Sequence, residues 1–333
     1  MSIVLERKGF HFTPTALTTS SGEPLFLVVK MKGRSTVEAP RLPVWEYSEE
    51  NYVSFIQSNQ IKSALVILDD FSFLSKCPSI EMLTLIPSNQ APNHISFDPV
   101  YSLPSLKMLQ PKTIYGERDK YWSEFDCSKL LSSSQIEWFG ADCKRGIKNM
   151  AVFSGLKSLL LSSYKASNLR DAIGSSSLDT LSLMCCGVNS LDGTQLSKKL
   201  QVVKLQTCSK LENIDALYGN RETLRGLVID NCNKIRDYSV LSELKQLTRL
   251  SLCGRGAIPT LSFVEQLPNL KTLMLSVDVE DGDLSFCDRL EHVSIFPDRR
   301  HLNRKDEDLP KKKQQFIVWG DENIDAWRQH VMR

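Results

Sequence analysis

A chain of 333 residues with 41% hydrophobic and 24% charged residues has enough apolar material for a long continuous core. A formal net charge of only +2 argues against a general nucleic-acid or membrane-surface binder, whose footprint should be strongly basic. The opening MSIVLERKGFHF holds no apolar stretch of signal-peptide length, and no apolar run approaches the ~20 residues that cross a bilayer, so a cytoplasmic protein is expected.

In chain order, residues 1–60 show no internal repeat. Glu23 to Lys30 reads as a strand, with Ile3-Val4-Leu5 a possible pairing partner. After a turn through Pro40 and Pro43, Ser48 is placed to cap a short helix in which Tyr52, Phe55 and Ile56 share a face. This block is read as an N-terminal cap, with a small independent domain as the rival reading.

Ser63 to Leu68 is a plausible first strand of a repeating phrase, which is plainest in LRGLVIDNCNKIRDYSVLSEL, Leu224 to Leu244. Leu227 and Ile229 alternate at a strand's period of two, so both point inward while Gly226, Val228 and Asp230 point out. One such strand cannot bury its apolar face alone, and stacked copies can. The first apolar position recurs at Ile80, Leu106, Ile136, Leu156, Leu178, Leu200, Leu224, Leu247, Leu270 and Leu290, nine intervals spanning 210 residues, about 23 each.

On these residues the chain resembles the leucine-rich-repeat family over roughly residues 61–298, most specifically from Leu156 to Ile295. The resemblance implies an α/β repeat solenoid of about 10–11 repeats. A curved parallel β-sheet would form its concave face, short 3₁₀ or α turns its convex face, with a cap at each end. IRDYSVLSELKQLTRLSL and IPTLSFVEQLPNLKTLML look like the short bacterial repeats of internalin type, while Cys186, Cys208 and Cys232 occupy a slot like that of cysteine-containing repeats.

Two stretches depart from the period. Residues 113–125 carry Tyr115, Tyr121, Trp122 and Phe125 among charges, which suits an interaction loop; the alternative is that Trp122 and Phe125 pack back onto the core. Residues 299–313 are a charged excursion expected to be a solvated loop. Phe316 to Trp319 then reads as a closing strand, and Asp321 can cap a final helix sharing Ile324, Trp327 and Val331 on one face, so that residues 299–333 form the C-terminal cap.

Nine cysteines, an odd number without a C-x-x-C pair, are expected to be reduced and structural, with no metal site. Five scattered histidines and the absence of a phosphate-binding glycine motif leave catalysis and cofactors without support. The expected function is therefore non-catalytic. The chain should be a monomeric protein-interaction module binding one or more proteins on the concave face, as an inhibitor, immunity-type protein or adaptor. The alternative is the targeting half of a host-directed bacterial effector whose catalytic domain is absent. The outward strand positions supply the candidate contact residues Trp138, Leu160, Met184, Val202, Lys204, Val228, Asp230 and Arg249, and the insertion adds Tyr115, Tyr121 and Trp122.

Overall fold

The ten first-position side chains from Ile80 to Leu290 are all buried, none more than 5% exposed. The computed structural model describes residues 26–30, 49–58, 62–68, 70–87, 94–111, 119–143 and 146–311. The chain divides into two compact units, residues 1–141 with 316–333 and residues 142–315.

In the first unit, β1 (Phe26–Lys30), β2 (Ser63–Leu68), β3 (Met82–Pro87), β4 (Met108–Pro111) and β5 (Trp138–Asp142) pair side by side, all parallel. The expected strand at the N-terminus thus joins the sheet as a rung, in register from Phe26 opposite Ser63 to Lys30 opposite Ile67. Helix α1 (Glu49–Ser58) lies where Tyr52, Phe55 and Ile56 called for one, and Ile56 is wholly buried. The expected cap residue Ser48 and the segment Ile3 to Leu5 lie outside the described residues.

The second unit repeats one rung. Strands β6 (Ser158–Ser162), β7 (Thr180–Met184), β8 (Val202–Gln206), β9 (Gly226–Asp230) and β10 (Arg249–Cys253) run parallel, each hydrogen-bonded to the next. Beyond the short β11 (Ala257–Ile258), β12 (Thr272–Leu275) continues the order; beyond β13 (Asp278–Val279), so does β14 (His292–Ile295). Inward positions are closed to water: Leu181, Val203, Leu227, Leu250 and Leu273 are fully buried. With about 23 residues per rung there is little room for a full helix, and short 3₁₀ segments such as Asp215–Asn220, Ser239–Glu243 and Ser262–Gln266 carry the return, rising faster per residue. These segments pack closely on one another. Gly193, at φ 115°, follows from that: a Cβ there would lie 2.7 Å from the Leu169 carbonyl carbon.

Successive strands end in one local device. Ser163, Cys185, Thr207 and Asn231 each adopt a left-handed backbone, φ 53–56°. Their N–H groups donate to the last carbonyl of the following strand, at Met184, Gln206, Asp230 and Cys253, over 2.7–2.9 Å. The next residue then turns inward as Tyr164, Cys186, Cys208 or Cys232, all buried.

The charged segment after Ile295 folds onto the end of this unit instead of standing free in solvent. Arg299 donates to the Val277 and Ser276 carbonyls at 3.1 and 3.2 Å. His301 Nε2 lies 3.0 Å from the Val279 carbonyl, and the Asn303 side-chain oxygen accepts the Leu284 N–H at 2.9 Å. These polar side chains satisfy backbone groups of the last repeat, carbonyl acceptors for Arg299 and His301 and an N–H donor for Asn303. The expected strand Phe316 to Trp319 and the helix beyond Asp321 lie outside the described residues.

Candidate protein-binding face

Period-two alternation sets one half of every strand side chain away from the core, and the parallel register aligns those side chains in rows across the second unit. A first row passes through Thr180, Val202, Gly226, Arg249 and Thr272. A second passes through Leu160, Ser182, Lys204, Val228, Ser251 and Met274. A third passes through Ser162, Met184, Gln206, Asp230 and Cys253.

The candidate contact residues do not fare alike. Met184 is 44% exposed. Leu160, Val202, Val228, Asp230 and Arg249 are half-buried on the same face. Lys204 is only 7% exposed, and it is not without a partner, so it is part of the packed face and not a free cation. Alternation also puts exposed Gln206 in the third row, and exposed Phe296 follows β14 directly; neither stood among the candidates. Alternation assigns both to the outward side, but nothing in their residue types or spacing marks them as contacts.

The aromatic candidates of the first unit need correction. Trp122 is fully buried and Tyr121 only 8% exposed. Trp122 stacks on Phe97 at 5.4 Å between ring centroids and meets Phe125 edge-on at 6.0 Å, while Phe125 also packs on Tyr101 at 5.3 Å. Aromatic area of this size is better spent in a core than in water, and the packed alternative holds for Trp122 and Phe125. Burial pushes the Tyr101 hydroxyl up to about 12, and that oxygen accepts the Asp126 N–H at 2.9 Å. Trp138 is 1% exposed despite its outward register. Its ring lies over Gly140, where a Cβ would overlap it, so the missing side chain two residues on makes room for the indole. Tyr115 lies outside the described residues.

Beneath the second unit's face, the buried thiols brace the third row. Cys186 Sγ lies 3.5 Å from the Met184 carbonyl, Cys208 Sγ 3.7 Å from that of Gln206, and Cys232 Sγ 3.5 Å from that of Asp230. All nine cysteines are free thiols, and among the described residues no group of three His, Cys, Asp or Glu side chains could hold a metal ion. No helix among the described residues is long and apolar enough to cross a membrane.

Parallel rungs of this length, joined by 3₁₀ returns over a Leu-x-x-Leu-x-Leu core, decide the fold. The chain has the leucine-rich-repeat fold. No family model matches this repeat protein. The disease resistance protein RPS4B of Arabidopsis thaliana is 23% identical to it, over 63% of this chain and 20% of that protein. The repeat protein therefore spans about a fifth of the length of the curated relative it matches. Among solved structures, an internalin, InlF, from Listeria monocytogenes is similar in fold at a TM-score of 0.52 and 16% identity, covering 77% of this chain and 75% of that one. A chain of the Toll–Spatzle complex of Drosophila reaches a TM-score of 0.58 at 13% identity, covering 76% of this chain and 36% of that one.

Proposed function

We propose that the outward face of the second unit binds a protein partner, and that the repeat protein works as a non-catalytic interaction module, an inhibitor or immunity-type neutraliser of an enzyme, or an adaptor. The observation that carries this reading is exposed Met184 beside half-buried Leu160, Val202 and Val228 on one hydrogen-bonded sheet. Apolar area that is already held rigid loses little conformational freedom when a partner covers it. One structural neighbour comes from the Toll–Spatzle complex, an assembly of the kind proposed. Nine free thiols favour a reducing compartment for the protein.

The test compares the full chain with its Met184→Asp/Val228→Asp variant as baits in native lysate. The wild type should retain a specific protein, and the variant should retain it about tenfold less or worse, with an unchanged far-UV circular dichroism spectrum. Equal capture by a folded variant would remove this face from consideration. A second reading, the targeting half of a larger effector, draws on the match to only 20% of a longer relative. A longer natural chain carrying a catalytic domain would favour it.

A further inference from the structure

Cys186, Cys208 and Cys232 fall in one slot of three successive rungs, and none is more than 3% exposed. The strands just before them hold them in register, Met184 beside Gln206 and Gln206 beside Asp230, so the three thiols stand on neighbouring rungs; their mutual influence lowers the pKa of Cys208 and raises those of Cys186 and Cys232. Equivalent residues on adjacent parallel rungs lie ~4.8 Å apart, inside the Cα separation a disulfide spans, although their Cβ atoms would have to draw slightly closer. Each thiol follows directly on an exposed turn residue. These are Cys185, Thr207 and Asn231, all at positive φ, a conformation that is costly for β-branched Thr207.

We propose that this column is a thiol switch in which a two-electron oxidant of the peroxide class joins Cys208 to Cys186 or to Cys232. The Cys208 sulfur, having released its proton, takes one oxygen from the peroxide as the O–O bond breaks, and the departing hydroxide recovers that proton, giving a sulfenic acid and water. The neighbouring thiol then attacks that sulfur, its proton passing to the sulfenic oxygen as the S–O bond breaks, so the S–S bond forms and a second water leaves; two thiols and one peroxide give one disulfide and two waters. Each thiol lies against the carbonyl of Met184, Gln206 or Asp230, so joining two of them disturbs the third row of the face. The consequence for partner binding rests on the function proposed above; the disulfide does not.

The full chain is treated with graded hydrogen peroxide, and its free thiols are counted and its non-reduced peptides mapped by mass spectrometry. The expected result is the reversible loss of two of the nine thiols, Cys208 linked to Cys186 or Cys232, and faster amide exchange over residues 184–186, 206–208 and 230–232. Cys186→Ala should leave the Cys208 to Cys232 link, and Cys208→Ala should abolish both. Oxidation confined to exposed Cys185, or a Cys208 that stays a free thiol while the fold is intact, overturns the proposal, and neither outcome bears on whether the face binds a protein.

Discussion

Lys311 Nζ sits 2.6 Å from Asp306 Oδ1, and the same carboxylate oxygen accepts the Ile295 N–H at 2.6 Å. β14 pairs with β12 on one side, and the segment 306–311 serves its other edge. The Val293 N–H donates to the Pro310 carbonyl at 2.9 Å, and Lys311 Nζ reaches the Val293 carbonyl at 2.5 Å. A strand edge left open is a template for unwanted pairing, and here charged side chains occupy it.

Asp306→Ala should therefore loosen the end of the sheet. Two charge-assisted hydrogen bonds in a site about one-third exposed should cost about 1–2 kcal/mol after solvent screening, read as a lower urea midpoint. Burial pushes the Asp306 carboxyl up, but Lys311 and the Ile295 N–H outweigh it and hold it below the ordinary aspartate value. A lowered folded pKa means that the contribution is complete above the ordinary value and lost as pH falls through the folded one. The gap between wild type and variant should close in acid; a gap that persists there would separate its cause from this carboxylate.

Trp138 and Gly140 make an opposite case, where an outward position is structural. Gly140→Ala should cost about 1–3 kcal/mol by forcing the indole off its seat, and Trp138→Phe should partly rescue it. Thermal melts of the two single variants and the double variant give the coupling. Additive effects would show that the ring does not rest on the glycine.

The inward half of the fold was legible because it repeats: Leu178, Leu200, Leu224 and Leu247 keep nearly the same interval, and all four are fully buried. The outward half was not. Alternation states which way Trp138 and Lys204 point, but not that Trp138 lies flat over a glycine or that Lys204 is nearly closed off, because those facts depend on neighbours in space. The segment 299–311 was legible only in part, for a related reason. Its alternating charges look like a solvated loop, while Arg299, His301 and Asn303 each pair with backbone some 20 residues earlier, a relation with no period to count.

Adjacent residues of β9 separate the two roles within one strand. Leu227 is fully buried, so Leu227→Ala should lower stability by roughly 2–5 kcal/mol. Val228 is half-buried on the outward face, so Val228→Ser should cost less than about 1 kcal/mol. Chemical denaturation of both variants checks the register directly, and a reversed order would mean the strand is assigned to the wrong face.

Glu81 offers a last test, in the first unit. It stands just before β3 and bridges two neighbouring rungs, with Oε1 2.8 Å from Lys62 Nζ and Oε2 2.7 Å from Lys107 Nζ. Its side chain is 12% exposed, whereas the lysines are 47% and 39% exposed, so the carboxylate is the desolvated partner. Burial raises its pKa, but the two ammonium groups more than offset that and leave it below the ordinary glutamate value. Glu81→Gln keeps the shape and removes the charge, and should cost about 1 kcal/mol at neutral pH, given the exposure of the lysines. By the same sign as at Asp306, the cost should vanish once pH falls below the folded value of Glu81. Urea unfolding followed by tryptophan fluorescence reports it, since buried Trp122 and Trp138 lie in the same unit. A variant as stable as wild type at pH 7 would mean that this bridge joins the rungs without strengthening them.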